Sequence, residues 1–391
     1  MIRASEGSRA EAGLLQRAGE LLPLIGRLGE AGERLGALSP EVAEALRAAG
    51  LFAMWVPRCL GGAELGPVDS LELIERVAHA DGSTGWVLMA AALATGTAGA
   101  YLGDRAVAEI FRRTPLPVMA GQGAPVGSAR RVDGGYLLSG RWSYGSGVRH
   151  ADYLHTGALA GEGETAEARI FIVPREHFEF AGNWDVLGLR ATGSIDYSGA
   201  GIFVPADATH LTDCATPLRG GAFYRLGIKG MGSIGHTGFA LGVARRALDE
   251  IAALAAGKSG RLGLLGDSES FLERFGAAEA QLRAARALAF ETWRDIEAGL
   301  HRGEPLPIRQ QSLHRLALNH ATWTASEVCT FAYHAGGGTS LRAGAIQRCF
   351  RDMHAGTQHI SSASVVLRDC GRELAGLAGN REWGFTTLIQ K

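Results

Sequence analysis

The hydrophobic pattern changes its period twice along the chain, and that order of segments limits the fold more than any single motif does. Up to about residue 115 apolar residues recur at helical spacing. Ser39, Pro40 and Glu41 make a helix start: Ser39 caps, Pro40 takes the first turn and Glu41 favours the positive end, with Gly50 as the stop. A second helix is expected from about Asp69 to Ala80, with apolar Leu71, Ile74, Val77 and Ala78; a third follows from Ser83, and Gly103 parts it from a fourth. From about Pro115 to Pro205 the period changes. Tyr136, Leu137 and Leu138, then Trp142, then Tyr153 and Leu154, then Ile170, Phe171, Ile172 and Val173 read as strands, divided by turn pairs such as Asp133-Gly134, and Ile202 to Pro205 reads as the last strand. From about Gly230 the helical period returns. Leu282, Ala285, Ala289 and Ile296 form one stripe, Leu313, Leu316 and His320 continue it in the next helix, and Ile360, Ala363, Leu367 and Leu374 do so in the last. Helices, a small antiparallel sheet or barrel, then an antiparallel bundle of long helices make the class α+β. The expected domains are a helical one over 1–115, a middle antiparallel β-domain over 116–222 and a helical bundle over 223–391.

Composition excludes several classes of function. A chain of 391 residues, 46% hydrophobic and 20% charged, can bury a sizeable core. Its 39 basic and 40 acidic residues leave a net charge of −1, which gives no reason to expect nucleic acid or an anionic membrane as partner. The 56 glycines fit either close backbone packing or a GC-rich genome. Five cysteines, none spaced as CxxC, argue against a disulfide framework or a zinc knuckle and fit a reducing cytoplasm. The first residues lack the apolar core of a signal peptide, and the longest apolar run, from Trp86 to Leu102, is too short and too diluted to span a bilayer. A buried core helix is expected there.

Motifs narrow the chemistry. A literal GxGxxG lies at Gly230, Gly232 and Gly235, but no buried strand precedes it and no βαβ repeat surrounds it, so it reads as a glycine-rich entry to the bundle. No HExxH, GxSxG or Walker sequence is present, and the histidines do not cluster at metal-ligand spacing; His354 and His359, five apart, would point in different directions on a helix. Three stretches remain. Residues 140–147 end a strand with Trp142, Ser143, Tyr144, Ser146 and Gly147. An aromatic face and small hydroxyls there suit an isoalloxazine ring, but taken alone the stretch reads first as a half-buried strand with a glycine turn. Residues 188–194 put Arg190, Thr192, Gly193 and Ser194 into one loop, able to place donors near a polar ring edge or a phosphate, or to serve as an ordinary turn. In the third, Gly336, Gly337 and Gly338 end a long helix, and Arg348, Arg351, Asp352 and His354 lead to His359 beside an apolar stripe.

Taken in order, residues 81–86 (Asp-Gly-Ser-Thr-Gly-Trp), 142–147, 188–194 and 348–359 resemble the acyl-CoA dehydrogenase superfamily, and more closely its branch of two-component flavin monooxygenases, over nearly the whole chain. The resemblance implies an N-terminal helical domain, a middle β-domain and a C-terminal four-helix bundle, usually assembled as a homotetramer. It implies reduced flavin, FMN or FAD, delivered by an NAD(P)H:flavin reductase, with dioxygen and a small organic molecule as co-substrates. By resemblance Trp86 lies near the flavin, and the backbone of Gly123, Ala124 and Pro125 meets its pyrimidine edge. Trp142, Ser143, Tyr144, Ser146 and Gly147 line the ring, with Arg190, Thr192, Gly193 and Ser194 beside it. Arg261, Gly337 and Gly338 would reach the phosphate or adenine end, and His359 and Ile360 would also bind the flavin.

Two departures direct the reading. Acyl-CoA dehydrogenases use a carboxylate base, often in a Glu-Gly-Thr sequence, where this chain has Ala355-Gly356-Thr357 and no Asp or Glu between Asp352 and Asp369. The oxygenase branch carries a histidine in this helix, matched by His359. Phenol hydroxylases of the branch often have a histidine eight to ten residues after the Trp86 equivalent; this chain has Ala94, Thr95 and Gly96 there, which leaves a sulfur, nitrogen or non-phenolic carbon centre open. The expected catalytic pair is Ser146, bonding the flavin N5, and His359, as acid or base near its ordinary pKa. Competing readings are an acyl-CoA dehydrogenase with a relocated base, an oxygenase of an amine or amino sugar, and a non-enzymatic flavin-binding scaffold.

Overall fold

The protein is seen in a computed structural model that describes residues 2–161, 163–260 and 263–390. Helices α1 (Ile2–Leu35), α2 (Pro40–Ala48), α3 (Pro67–Ala80), α4 (Gly82–Tyr101) and α5 (Asp104–Ile110) come first. Eight strands follow: β1 (Met119–Ala120), β2 (Gly127–Val132), β3 (Gly135–Trp142), β4 (Tyr153–Ala160), β5 (Glu167–Pro174), β6 (Glu179–Phe180), β7 (Tyr197–Pro205) and β8 (Thr209–Leu211). Then come α6 (Gly227–Gly257), the strand pair β9 (Ser259–Gly260) and β10 (Gly263–Leu264), α7 (Glu269–His301), α8 (Ile308–Gly336), α9 (Ala345–Gly356), α10 (Ser364–Leu374) and the pair β11 (Arg381–Trp383) and β12 (Leu388–Gln390). The Ser39 hydroxyl accepts the Val42 amide at 3.3 Å, the cap expected of it, and Gly50 turns the chain at φ +76°. The chain packs as two compact units: Met1–Asp69, Trp86–Asp185 and Arg190–Gly232 in the first, and Ser70–Gly85, Val186–Leu189 and Ser233–Lys391 in the second.

In the first unit the sheet runs in the order β6-β7-β3-β2-β4-β5-β8, with β1 beside β4. It is mostly antiparallel, but β1 and β2 both pair with β4 in parallel, which alternation along each strand could not foretell. The last strand is β8, three residues beyond the expected end, where Thr209, His210 and Leu211 pair with β5. Ala94 and Ala98 of α4 and Leu102 just after it share one core with Leu138, Trp142, Leu154, Phe171 and Val204 of the sheet. The apolar run of α4 is therefore a core helix, and among the described residues no helix is long and apolar enough to cross a membrane.

Two histidines sit in this core. His155 and His210 are 3% and 4% exposed, with ring centroids 6.1 Å apart. Burial, and then the neighbouring His210, lowers His155 to about 3, and burial lowers His210 to about 4. The folded chain thus refuses protons that the unfolded chain binds below about pH 6.5. Stability is complete above that pH and falls as the pH drops towards 4, each histidine adding a slope of about 1.4 kcal/mol per pH unit. Urea unfolding midpoints between pH 7 and 5 check this: His210→Asn should flatten the decline, and a midpoint constant over that range would contradict it.

In the second unit α3 runs against α6, and a glycine makes the approach possible. A Cβ on Gly242 would stand 2.2 Å from the Glu75 carbonyl oxygen. Close backbone packing therefore accounts for at least this part of the glycine content. Leu282, Ala285, Ala289 and Ile296 are buried in α7 as expected. The stripe read for α8 is corrected: Leu313 and Leu316 are half-buried and His320 is exposed, while Ser312, His314, Arg315, Leu318 and Asn319 point inward. The final stripe is corrected too. The chain leaves helical geometry after Gly356 and makes a separate 3₁₀ turn over Ile360–Ser362 before α10, so residues on either side do not share a face. Ile360 and Leu367 are exposed, and Val366, Asp369 and Cys370 are the buried residues of α10. The C-terminal hairpin was not expected; its three-residue strands are too short to show a period, and Trp383 fixes them by donating to the Ser312 hydroxyl at 2.8 Å.

Candidate functional site

The first unit carries a cluster of hydroxyls at the end of β3. After Trp142 the chain takes two left-handed residues, Tyr144 at φ +64° and Gly147 at φ +79°. For tyrosine that conformation costs on the order of 1–2 kcal/mol, so the surrounding bonds must over-determine it. They do: the Gly145 amide donates to the Ile195 carbonyl at 3.2 Å and the Gly147 amide to the Thr192 carbonyl at 3.1 Å, clamping residues 143–147 to residues 190–195.

The clamp aligns four side chains. The Trp86 Nε1–H donates to Ser146 Oγ at 3.1 Å, Ser146 Oγ lies 2.8 Å from Ser194 Oγ, and Ser194 Oγ lies 2.7 Å from Thr192 Oγ1. Indole can only donate, so Ser146 accepts from Trp86 and keeps its own hydrogen to give. The three hydroxyls can reverse polarity, which lets Ser146 present either a hydrogen or a lone pair. Ser146, Thr192 and Ser194 are all buried and Trp86 is half-buried.

The segment with Gly123, Ala124 and Pro125 lies beside this cluster within the same unit. Gln122 wires it: its amide donates to the Tyr197 hydroxyl at 3.0 Å, its Nε2 to the Ser143 carbonyl at 3.2 Å, and its Oε1 accepts from the Ala124 amide at 3.1 Å. Tyr197 in turn donates to Thr156 Oγ1 at 2.9 Å. Trp142, expected as a wall for the ring, is corrected. It is 0% exposed, stacks on Tyr197 at 5.4 Å, meets the edge of Phe178 at 5.9 Å and donates to the Gly157 carbonyl at 2.7 Å. Trp142 holds up the sheet beneath the loop and has no face left for a ligand. Tyr144 is 66% exposed and edge-on to Trp184, Ser143 is half-buried, and Arg190 is exposed beside Asp185 at 4.0 Å.

The second unit gathers two of the other motifs. Asp81 Oδ2 caps α4 by accepting from the Thr84 amide at 2.9 Å and hydroxyl at 2.7 Å, and Oδ1 stands 3.6 Å from Arg348 Nε. Residues 186–189 clip onto α9: Asp352 Oδ1 accepts the Leu189 amide at 2.6 Å and Arg351 donates to the Leu187 carbonyl at 3.1 Å. A Cβ on Gly188 would stand 2.0 Å from the Arg351 carbonyl oxygen. Gly188→Ala should therefore lower stability by about 1–3 kcal/mol, as overpacking does; a thermal melt identical to the parent's would show that the loop yields freely.

His359 does not lie within a helix. It ends the turn after α9 and starts the 3₁₀ turn Ile360–Ser362, where its Nδ1 accepts the Ser361 amide at 3.3 Å. Its ring lies tilted against that of His236 of α6, centroids 3.9 Å apart and planes at 30°. Burial lowers His359 to about 4, and burial followed by His359 lowers His236 well below its ordinary value, so both imidazoles are neutral at pH 7. The expectation of a histidine titrating near working pH is corrected by this burial. His236 was not foreseen, although it directly follows the glycine cluster at Gly230, Gly232 and Gly235. Gly337 adopts φ +51° beside Lys258, whose ammonium bonds the Gly336 carbonyl, and a Cβ on Gly338 would meet open space. Arg261 lies outside the described residues. Among the described residues no three His, Cys, Asp or Glu side chains are grouped to hold a metal ion.

The donor set fits a flavin: a reversible hydroxyl chain behind Ser146 and a wired backbone segment at residues 122–126. Comparisons with known proteins point the same way. Residues 234–363 match the family described as acyl-CoA dehydrogenase, C-terminal domain. The chain is 32% identical over 361 residues to an indole-3-acetate monooxygenase of Pseudomonas putida, covering 90% of each. It is 27% identical over 368 residues to a flavin-dependent monooxygenase, oxygenase subunit HsaA, of Rhodococcus jostii, covering 89% of this chain and 94% of that one. The crystal structure of the HsaA monooxygenase from M. tuberculosis superposes with a TM-score of 0.88 at 26% identity, over 94% of this chain and 98% of that one.

Proposed function

Since the chain belongs to the acyl-CoA dehydrogenase superfamily, among its flavin-dependent monooxygenase oxygenase components, we propose that it oxygenates a small aromatic molecule, with Ser146 as the residue that governs coupling. The protein is an oxidoreductase that uses reduced flavin and dioxygen. Bound reduced flavin supplies two electrons and the position at which dioxygen is activated. One oxygen atom enters the substrate and the other leaves as water; in uncoupled turnover both leave as hydrogen peroxide.

The observation that carries the proposal is the chain from Trp86 through Ser146 and Ser194 to Thr192. Ser146 holds the proton at flavin N5, and Ser194 and Thr192 set which way its hydroxyl points. The Gln122 segment meets the pyrimidine edge through backbone groups of Gly123, Ala124 and Pro125. His359 is the second candidate catalytic residue. A reductase using NAD(P)H supplies the reduced flavin, and the chain works as a homotetramer; the exposed Trp323, Ile360 and Leu367 of the bundle unit support assembly.

Indole-3-acetate is the first substrate to test, from the name of the relative that is 32% identical. Ala94 and Thr95 favour a non-phenolic aromatic, since both are buried in the core and neither titrates. The test supplies reduced FMN or FAD from a flavin reductase and NADH, and follows oxygen use, peroxide and product. Substrate-dependent oxygenation supports the reading. Anaerobic reduction of bound flavin by an acyl-CoA, without oxygenation, would replace it with the dehydrogenase.

A further inference from the structure

We propose that Trp293 of α7 and His314 of α8 together bind one water-sized hydrogen-bond acceptor, a halide ion or a water oxygen, inside the helical bundle. The inference does not rest on the oxygenase reading, since neither residue belongs to the flavin site proposed above. The polarity of the two side chains follows from their neighbours. An arginine side chain only donates, so the 3.1 Å contact between Arg315 Nη1 and His314 Nε2 uses the lone pair of Nε2. Burial, and then Arg315, lowers His314 well below its ordinary value, so the ring is neutral at pH 7. Its one proton then sits on Nδ1. An indole has only its N–H to offer. Two donors remain, Nδ1–H of His314 and Nε1–H of Trp293, and neither meets an acceptor among the described residues. The two residues are 2% and 0% exposed, so bulk solvent does not reach them.

The rings stack with centroids 5.4 Å apart and planes at 27°. At that spacing one acceptor about 3 Å from each nitrogen can serve both. An N–H bond lies in the plane of its ring, so the acceptor belongs at an edge of the stack and not between the faces. The surroundings of the stack are held in place. Ser233 of α6 donates to the His314 carbonyl at 3.1 Å. Arg315 Nη1 also donates to the Gln311 carbonyl at 2.9 Å, which keeps the guanidinium against its own helix. Two buried donors left dry forfeit their hydration for nothing; an acceptor shared between them restores it and ties α7 to α8. Closure to solvent limits that acceptor to a single ion or a single water. A halide needs only to accept, which suits two groups that both donate, whereas a water must also give its own hydrogens away. The chemistry recognised is the same for either source: one atom that takes two N–H bonds.

Nuclear magnetic resonance of the flavin-free protein, with nitrogen-15 in tryptophan and histidine, reads both N–H groups. Trp293→Phe, which keeps a ring in the stack, assigns the indole signal, and His314→Gln assigns the imidazole signal. Sodium bromide is exchanged for sodium gluconate at constant ionic strength. With a halide in the site, the Trp293 and His314 signals move together along one saturation curve, and Trp293→Phe weakens the response at His314 about tenfold, the loss of one hydrogen bond to an ion. With a water in the site, neither signal follows bromide, both exchange magnetisation with one long-lived water, and Trp293→Phe removes that contact at His314. Different saturation curves at the two rings, a response at one ring alone, a His314 response unchanged by Trp293→Phe, or neither bromide response nor long-lived water would overturn the proposal. Should Trp293→Phe fail to fold, crystals of the parent soaked in sodium bromide decide in its place. Density at hydrogen-bond distance from both nitrogens supports the site, its anomalous signal at the bromine edge separates ion from water, and density at neither or only one of them overturns it.

Discussion

Ser146→Ala should fold like the parent, bind flavin, and convert most of its oxygen use into hydrogen peroxide. Ser146 is small and buried, and the clamp between residues 143–147 and 190–195 is made by backbone groups, so removing one oxygen leaves the loop standing. What disappears is the one hydroxyl in the chain that takes the Trp86 N–H and passes polarity to Ser194. Removing a preorganised donor from an enzyme site costs on the order of 10²-fold in rate. Product formed per oxygen consumed, measured beside peroxide release, reads that loss directly. Ser194→Ala supplies the comparison: Ser146 stays but its hydrogen is no longer directed, and an intermediate loss is expected. Coupling unchanged in both variants would remove Ser146 from the mechanism.

The opposite phenotype belongs to Trp142. Trp142→Ala should cost about 3–5 kcal/mol of stability, the range for deleting a large buried aromatic. The indole is fully buried, stacks on Tyr197, meets Phe178 at its edge and donates to the Gly157 carbonyl. Removing it leaves a cavity under the sheet and an unpaired carbonyl. Tyr197 also accepts the Gln122 amide, so the loss spreads into the segment that carries Gly123 and Ala124. Trp142→Phe keeps a ring and should recover part of the stability. Urea unfolding, run without flavin, separates this from any effect on the cofactor. If Trp142→Ala kept the parent's stability and lost only flavin affinity, the indole would be a ligand wall after all.

These two substitutions mark what could be read along the chain and what could not. Residues 142–147 announce aromatic and hydroxyl groups at a strand end, which suits a flavin ring. Strand alternation cannot say which of Trp142 and Ser146 faces a ligand, because Tyr144 and Gly147 break the period with positive φ. His359 was legible as the histidine that the resemblance expects here, but the bond its ring makes to the next turn and its ring partner were not. The first depends on one amide of the following turn, and the second on a residue 123 positions earlier (359 − 236).

By itself the sequence determined the class of fold, because a core-forming period of about 3.6 residues and one of 2 cannot be satisfied by the same element, and the chain uses them in the order helix, strand, helix. It also determined the absence of a carboxylate where a dehydrogenase of this superfamily would place one. Tertiary structure alone decided that Trp142 is core, that Ser146 belongs to a chain of hydroxyls, that Gly188 must let a backbone pass, and that the rings of two histidines meet. Each of these follows from contacts between residues far apart in the chain, and such contacts depend on burial and close approach, which local pattern does not encode.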